Sequence, residues 1–373
     1  MNSMHVPFVN LNTQFKEHET NMYSIIRNVF DNGQFIGGEP VSTFESNFAR
    51  YIGADHCISL NSGTDALILG TRALELDPGS EMIFPANTYY ATLLAAKANG
   101  LKPVLCETDE SDFGYNLSHL KKLINSRTKA IMVVHLYGQP DKVDEIQDLI
   151  KKSKHKVHII EDSCQAHGSK LNGKRVGSYG IFSAFSFYPS KNLGAYGDGG
   201  AITTSDSSLE KRLRRVKEYG QSQKYHHESI GFNSRLDTLQ AAILSYKLTH
   251  LDSWNGQRQS LAKIYDEMLR LIPEVMIPKV FSNRKSVYHL YVIRSKQRNE
   301  LQKFLKDRGI DTQIHYPYPI HLQNAWKSLK YKKGDFPATE KLSNEILSLP
   351  MYPELTERQV RYVCISIMNF FYQ

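Results

Sequence analysis

The first 250 residues alternate short apolar runs with segments of helical periodicity, and this rhythm constrains the fold more than any other feature. Residues 129–136 are apolar and β-branched almost throughout, as expected of a strand buried on both faces. The rhythm predicts strands at 57–60, 81–84, 103–107, 129–136 and 157–162, with helices at 64–76, 88–99, 117–125 and 143–152 between them. Such alternation is typical of an α/β fold in which a mostly parallel sheet carries helices on both faces.

Beyond residue 162 the pattern is less regular. Two short strands are predicted at 181–187 and 200–204, joined by a glycine-rich turn, and helices follow at 209–218, 236–251 and 257–271. From about residue 273 the chain contains a strand-like run at 288–293, a helix near 299–308 and a proline-rich loop at 316–319. We therefore predict a large α/β domain over residues 1–250 and a smaller C-terminal α+β domain over residues 251–373.

The charge balance leaves several functions open. The 373-residue chain has 46 Lys and Arg against 38 Asp and Glu, a net charge of +8, which permits a nucleic-acid partner, a membrane surface or an anionic substrate. Nucleic acid is disfavoured, because no helix-turn-helix or RNA-binding signature is present and the basic runs at 151–154 and 330–333 adjoin helical patterns.

The sequence also indicates whether membranes or metal ions are partners of this chain. No apolar run approaches the roughly 20 residues that span a bilayer, and the first residues lack a signal-peptide pattern, so we expect a cytoplasmic protein without membrane contact. The four cysteines are far apart and form no CxxC pair, so no metal site is predicted.

Three polar clusters follow predicted strands, at the edge where open parallel sheets bind ligands. The first, NSGTDAL at 61–67, stands between a strand and a helix. Gly63 lets the backbone approach a ligand closely, Thr64 supplies a hydroxyl, and the helix N-terminus supplies free N–H groups, so this cluster can hold a phosphate. An ordinary helix cap is the alternative interpretation of the same residues.

The second cluster, EDSCQAHG at 161–168, ends a buried strand. A buried acid is costly without a cationic partner, so Asp162 could hold a protonated ring nitrogen or a metal, or could only face a helix N-terminus. For His167, a packed or hydrogen-bonded histidine is favoured, and a ligand-binding histidine is the alternative.

The third cluster, FSFYPSKNLG at 185–194, places Lys191 after an apolar strand and among aromatic residues. Desolvation lowers the pKa of a lysine and makes its amine a nucleophile, although a solvated loop lysine is the alternative. A phosphate cradle, a strand-end acid and an aromatic-flanked lysine are together the requirements for binding pyridoxal 5'-phosphate (PLP).

With these motifs in order, the chain resembles the DegT-type sugar-nucleotide aminotransferases over nearly its whole length. The resemblance is carried by FIGG (35–38), FE (44–45), SGTDAL (62–67), PANTYYAT (85–92), VHLYGQP (134–140), EDSCQAHG (161–168), FSFYPSKNLGAYGDGGA (185–201), GFNSRLDTLQAA (231–242) and IHYPYPIHLQ (314–323). It implies the aspartate aminotransferase-like architecture of PLP fold type I, with PLP as the cofactor.

The resemblance also implies roles at the cofactor. Lys191 corresponds to the lysine that bonds to PLP and then moves the proton of the reaction. Asp162 matches the acid at the pyridine nitrogen, Gln165 a residue beside the phenolic oxygen, and Tyr89 the aromatic residue stacked on the ring. The phosphate would be held by Gly63, Thr64 and Ser186. Asn233 matches an asparagine that reaches the phosphate from a neighbouring subunit, which implies a homodimer with shared active sites.

Residues at the substrate are implied more loosely. Tyr188 is expected to face the substrate, and Lys224 to meet the nucleotide diphosphate, although a solvated surface lysine is the alternative. His315 and Tyr316 open the proline-rich loop and are expected to approach the sugar from the partner chain, or else only to pack the loop. For His321 the two interpretations are balanced.

The resemblance also indicates the type of reaction and the sugar carbon that receives the amino group. Lys191 favours transamination, because the family's dehydrating members carry a histidine at that position. Residues 224–248 look most like the C3 aminotransferases, which convert a dTDP-3-keto-6-deoxyhexose into a dTDP-3-amino-3,6-dideoxyhexose with L-glutamate as donor, for glycan or related deoxysugar biosynthesis. A C4 aminotransferase acting on a UDP- or GDP-4-keto-6-deoxy sugar is the alternative, and a non-enzymatic anion or nucleic-acid binder is a distant one.

Overall fold

The structure is a computed structural model that describes residues 4–279 and 281–372. The strands are β1 (His56–Leu60), β2 (Glu81–Pro85), β3 (Lys102–Cys106), β4 (Thr128–Val134), β5 (His158–Asp162), β6 (Lys170–Leu171), β7 (Lys174–Arg175), β8 (Phe182–Ser186), β9 (Gly200–Thr204), β10 (Gln221–Gln223), β11 (His226–His227), β12 (Arg284–Lys285), β13 (Tyr291–Arg294) and β14 (Ile346–Leu349). The helices are α1 (Leu11–Glu17), α2 (Glu19–Asn32), α3 (Glu39–Ile52), α4 (Gly63–Arg72), α5 (Tyr90–Lys97), α6 (Leu117–Leu123), α7 (Val143–Ser153), α8 (Ser207–Lys217), α9 (Thr238–Leu248), α10 (Leu251–Leu269), α11 (Arg298–Asp307), α12 (Pro337–Glu345) and α13 (Glu357–Tyr372).

Seven of these strands form one sheet, in the order β1-β9-β8-β5-β4-β2-β3. The neighbouring strands β3, β2, β4, β5 and β8 of this sheet are parallel to one another. In contrast, β9 pairs antiparallel with both β8 and β1. Because β1 and β8 are both antiparallel to β9, β1 runs in the same direction as the parallel strands. The prediction of a mostly parallel sheet is confirmed, and the carboxyl ends of six strands share one edge of it.

Alternate residues of the central strands enter cores on opposite faces of the sheet. Met82 and Phe84 of β2 pack in the core that contains α4 and α5, whereas Ile83 between them packs in the core that contains α6 and α7. The two faces are thus both covered by helices, as the near-continuous apolar strands predict.

A separate core holds much of the C-terminal part of the chain. Helices α10, α11 and α13 pack there against the antiparallel pair β13–β14. Val6 belongs to the same core: it is fully buried, its N–H donates to Gly309 O at 2.8 Å, and its carbonyl accepts from Asp311 N at 3.0 Å. Leu251, at the start of α10, packs instead with the core of α3 and α9. The division near residue 250 stays a prediction, and α10 contributes residues to both cores.

Most predicted elements lie within a few residues of the observed ones, and the larger differences have local causes. The helix predicted at 64–76 ends at Arg72, and Glu75 then takes a left-handed conformation with φ 54°. The strand predicted at 288–293 begins only at Tyr291, because Tyr288 has φ 43° and is not extended. Helices α1, α2, α3, α12 and α13 were not predicted. No helix in the described part of the chain has the length and hydropathy needed to cross a bilayer.

Candidate active site

A cavity of about 360 Å³ opens at the carboxyl edge of the sheet. It brings together most of the residues that the sequence singled out. Those that line it are Gly63, Thr64, Tyr89, Asp162, Gln165, Ser186, Tyr188, Lys191, His315 and Tyr316. This convergence follows from the topology, since β1, β2, β5 and β8 all end at this edge.

The turn between β1 and α4 forms the floor of an anion site. Ser62 caps α4 by accepting from Asp65 N at 3.1 Å, so the helix begins at Gly63 with free N–H groups and its positive dipole end. A Cβ atom on Gly63 would lie 2.6 Å from Ser186 Cβ and 2.9 Å from Cys164 Sγ. Only glycine fits there without displacing the neighbouring strand end, so the backbone of this turn can approach a ligand closely.

Asp162 ends β5 as a buried carboxylate. Thr92 Oγ1 donates to its Oδ2 at 2.9 Å, and Cys164 N donates to its Oδ1 at 3.2 Å. Among the described residues, no Lys, Arg or His nitrogen lies within ion-pair distance of this carboxylate. A buried carboxylate without a cationic partner is costly, so the site suits a ligand that brings a positive charge to Asp162.

Lys191 lies in the tight turn that follows β8. Its backbone N–H donates to Tyr188 O at 2.8 Å, and no hydrogen bond of its amine occurs within the described part of the chain. Burial lowers the pKa of Lys191, and Cys164 and Asp162 oppose this effect only in part. The amine therefore loses its proton more readily than a surface lysine, as a nucleophile requires.

Tyrosines form the side wall of the cavity. The ring of Tyr89 lies 5.3 Å from that of Tyr316, between centroids, and is about half exposed. Gln165 donates from Nε2 to Tyr316 Oη at 3.1 Å and accepts from Tyr137 N at 2.7 Å. Both ends of the Gln165 amide are thus fixed, which holds this wall in place.

His315 and Tyr316 belong to the cavity of their own chain. The hydroxyl of Tyr137 donates to His315 O, and His315 Nδ1 lies 2.9 Å from Ser348 Oγ. The expectation that the two residues approach from the partner chain is therefore wrong. The segment that follows them packs against the central sheet, because Ile320, Trp326 and Leu342 belong to the same core as Met82 and Phe84 of β2.

Two predicted residues lie outside this cavity. Lys224 is exposed on the β10–β11 hairpin, with Nζ 5.2 Å from the Tyr225 ring centroid, and lines a shallow groove beside α8. Asn233 is exposed and pairs with Glu218 through a backbone bridge. Their proposed contacts with nucleotide and phosphate stay predictions.

His167 and His321, for which the sequence allowed either a packing or a binding role, are both packed side chains in the structure. His167 is fully buried, its ring lies 5.5 Å from that of Phe185, and burial lowers its pKa to about 3. His321 is buried 3.0 Å from Glu340 Oε1 and packs on Phe336, away from the cavity.

Sequence reasoning did not single out several residues that line the cavity, among them Thr92, His135 and His289. Thr92 lies in the PANTYYAT segment, in a helix that faces the end of a strand. That position could have indicated a place for Thr92 in the site. His135 is fixed on both sides, because it accepts from Asp141 N at 3.1 Å and lies 3.0 Å from Glu161 Oε2. His289 stands in an apolar run without any local indication of a site.

The chain's sequence matches the DegT/DnrJ/EryC1/StrS aminotransferase family over residues 16–368. The chain belongs to this family. It is 42% identical over 365 residues to dTDP-3-amino-3,4,6-trideoxy-alpha-D-glucose transaminase of Streptomyces venezuelae, covering 98% of this chain and 96% of that protein. It is also 42% identical over 367 residues to dTDP-3-amino-3,6-dideoxy-alpha-D-galactopyranose transaminase of Aneurinibacillus thermoaerophilus, covering 98% of this chain and 100% of that protein.

Solved structures agree with the family match. The crystal structure of S. venezuelae DesV in complex with a ketimine intermediate is similar with a TM-score of 0.96 and 41% identity, over 99% of both chains. The chain is therefore a PLP-dependent sugar-nucleotide transaminase with the fold predicted for it. The residues fit the cofactor in three ways. The turn at Gly63 can hold the phosphate of PLP, and Asp162, which has no cationic partner, can pair with the ring nitrogen. The desolvated amine of Lys191 can bond to the aldehyde carbon.

Proposed function

We propose that this DegT-type transaminase transfers the amino group of L-glutamate to C3 of a dTDP-3-keto-6-deoxyhexose, giving a dTDP-3-amino-3,6-dideoxyhexose for glycan or related deoxysugar biosynthesis. The two relatives named above, both dTDP-3-amino-sugar transaminases by name, support the nucleotide and the position. The observation that carries the chemistry is the convergence of Lys191, Asp162 and the Gly63 cradle in one cavity. A cytoplasmic location is part of the proposal, because nucleotide-linked sugars and glutamate are metabolites of that compartment.

Each residue has a defined task in this proposal. PLP, when bound, supplies the electron sink for the reaction. Gly63 and Ser186 would hold its phosphate at the N-terminus of α4, and Asp162 would keep its ring nitrogen protonated. Lys191 would bond to the cofactor and, once released, carry the proton between the substrate carbon and the cofactor. Tyr188, which is 55% exposed at the mouth of the cavity, would contact the sugar together with His315 and Tyr316.

The proposal includes a homodimer with shared active sites. Asn233 and Lys224 are exposed and outside their own cavity, although the resemblance assigns them to the cofactor phosphate and the nucleotide. Large apolar side chains are exposed beside them: Tyr225 is 82% exposed, Ile230 83% and Phe232 39%. A second copy that covers this apolar surface would also bring Asn233 to the neighbouring cavity.

The substrate is tested by assaying the purified holoenzyme with L-glutamate against a panel of 3-keto and 4-keto sugars linked to dTDP, UDP or GDP. We expect turnover with the dTDP-3-keto-6-deoxyhexose and a product that carries nitrogen at C3 by NMR. Preferred turnover of a 4-keto substrate would replace this assignment with the C4 reaction.

The role of Lys191 is tested by Lys191→Ala. We expect the visible absorbance of the covalently held cofactor to disappear together with all turnover, since no other described lysine lines the cavity. Retained absorbance and turnover would refute the assignment.

Sharing of the site is tested by mixing two inactive variants, Lys191→Ala and Asn233→Ala. A mixed dimer has one cavity with Lys191 intact and Asn233 supplied by the other chain, so activity should return to about one quarter of the wild-type rate after subunit exchange. If the mixture stays inactive although sedimentation shows mixed dimers, Asn233 does not act across the interface.

A further inference from the structure

A buried row of side-chain amides lies behind the Lys191 turn. Asn192 is 5% exposed, and its Nδ2 donates to Asn255 Oδ1 at 2.8 Å and to Val287 O at 3.0 Å. Asn255, on α10, donates from Nδ2 to His167 O at 2.8 Å. At the other end of the row, Asn192 Oδ1 lies 3.2 Å from His289 Nδ1.

The polarity of this row is fixed from one end. The carbonyl of His167 can only accept, so the atom of Asn255 that faces it is the nitrogen, and the Asn255 oxygen accepts from Asn192. Asn192 thereby uses both of its N–H groups, one on Asn255 and one on the Val287 carbonyl. Its oxygen is left as an acceptor for His289, so the proton of the His289 ring must be on Nδ1.

The second ring nitrogen of His289 is therefore a bare acceptor. Burial lowers the pKa of His289 well below its usual value, and the neighbouring Lys191, Arg258, His315 and His167 act in the same direction, so the ring stays neutral. Nε2 makes no hydrogen bond within residues 4–279 and 281–372. His289 lines the same cavity as Lys191, whose amine is likewise without a described partner.

We propose that His289 is a positioning residue for Lys191: its Nε2 accepts a hydrogen bond from the Lys191 amine once the substrate has displaced that amine from the cofactor. The bond would hold the amine at the substrate carbon during proton movement and would leave its other hydrogen and its lone pair free. This inference rests on the proposed role of Lys191. His135 provides the contrast, because its Nδ1 accepts from Asp141 N and its proton must be on Nε2, facing Glu161.

The ring protonation is tested by NMR on holoenzyme with 15N-labelled histidine. Long-range 15N–1H correlation spectra should show a neutral Nδ1–H ring that is absent from His289→Gln and unchanged between pH 6.5 and pH 8.5. The ring of His135 should show the opposite tautomer in the same spectrum. A charged ring, or a proton on Nε2 of His289, would overturn the proposal.

The function is tested by the rate of the glutamate half-reaction, measured in a single turnover with protiated and α-deuterated glutamate. His289→Leu should slow this step about 100-fold, a typical contribution of a group that assists proton transfer, and raise its isotope effect while leaving glutamate affinity and cofactor absorbance unchanged. His289→Gln places an amide oxygen near the position of Nε2 and should recover about tenfold of the loss.

A matched variant separates packing from positioning. His321→Leu removes another buried histidine, one paired with Glu340 outside the cavity, and should lower thermal stability without changing the half-reaction. Equal rates for His289→Leu and His289→Gln, with losses in stability like that of His321→Leu, would reduce His289 to a packing residue and refute the proposal. This result differs from a failure of the role assigned to Lys191. Only in that second case would the Lys191→Ala variant keep the visible absorbance of the covalently held cofactor.

Discussion

Substituting Gly63 by alanine is the most direct perturbation of the anion site. A Cβ at this position would lie 2.6 Å from Ser186 Cβ, 2.9 Å from Cys164 Sγ and 3.1 Å from Ser186 Cα. Unstrained carbon contacts are about 3.5–4.0 Å, so α4 or the end of β8 must move by about 1 Å. Overpacking of this kind costs about 1–3 kcal/mol of unfolding free energy, and a displacement of about 1 Å at a binding site costs up to about 100-fold in activity.

The control is Gly256→Ala in α10, since a Cβ there meets nothing within 4 Å. It should stabilise the protein by about 0.5–1 kcal/mol through helix propensity and leave PLP affinity unchanged. Both variants are measured by denaturant unfolding of the cofactor-free protein and by PLP titration followed in the visible spectrum. If Gly63→Ala matched the wild type in both measurements, close backbone packing would not be the reason for glycine at this position.

Three other perturbations act on buried polar groups. Thr92→Val removes the donor to Asp162 Oδ2 and should weaken PLP binding about tenfold, whereas Thr92→Ser should restore it; equal PLP affinity of the valine variant in a spectral titration would argue against the contact. Glu45→Ala leaves the buried Lys217 amine, 4.0 Å away, without a carboxylate and should cost about 3–5 kcal/mol in urea unfolding; a loss below 1 kcal/mol would contradict the buried pair. Burial lowers the pKa of Lys247 to about 8, so between pH 8 and pH 10 the unfolded chain binds more protons than the folded one and stability should rise with pH. Relative to Lys247→Met, the wild type should gain about 2–3 kcal/mol across this window, and a difference between the two proteins that does not vary with pH would show that the pKa is not lowered.

The sequence was sufficient for the sheet and for the cluster of residues around it. Gly63, Asp162 and Lys191 each follow a predicted strand, and parallel strands necessarily end at one edge, so their proximity could be predicted without coordinates. The predicted cofactor needed only that proximity and the residue types.

Other parts of the site depend on contacts that no local pattern encodes. His289 reaches the cavity because β13 and the segment before it pack behind the Lys191 turn, 98 residues away in sequence. The placement of His315 and Tyr316 in their own chain depends on how the segment around and after them packs against the core of the central sheet. For His321, the decisive partner was Glu340, and the sequence gives no reason to choose that carboxylate over another.

The pairing of Val6 with Ile310 has a consequence for how the protein is made. Val6 leaves the ribosome before its partner exists, because the backbone groups of Gly309 and Asp311 that flank Ile310 are synthesised about 300 residues later. At a translation rate of about 5–20 residues per second, the segment waits roughly 15–60 s before its hydrogen-bonding partners exist. During that interval an apolar segment with unpaired backbone groups is accessible to chaperones and to other nascent chains, and the C-terminal core cannot be completed until the two distant segments meet.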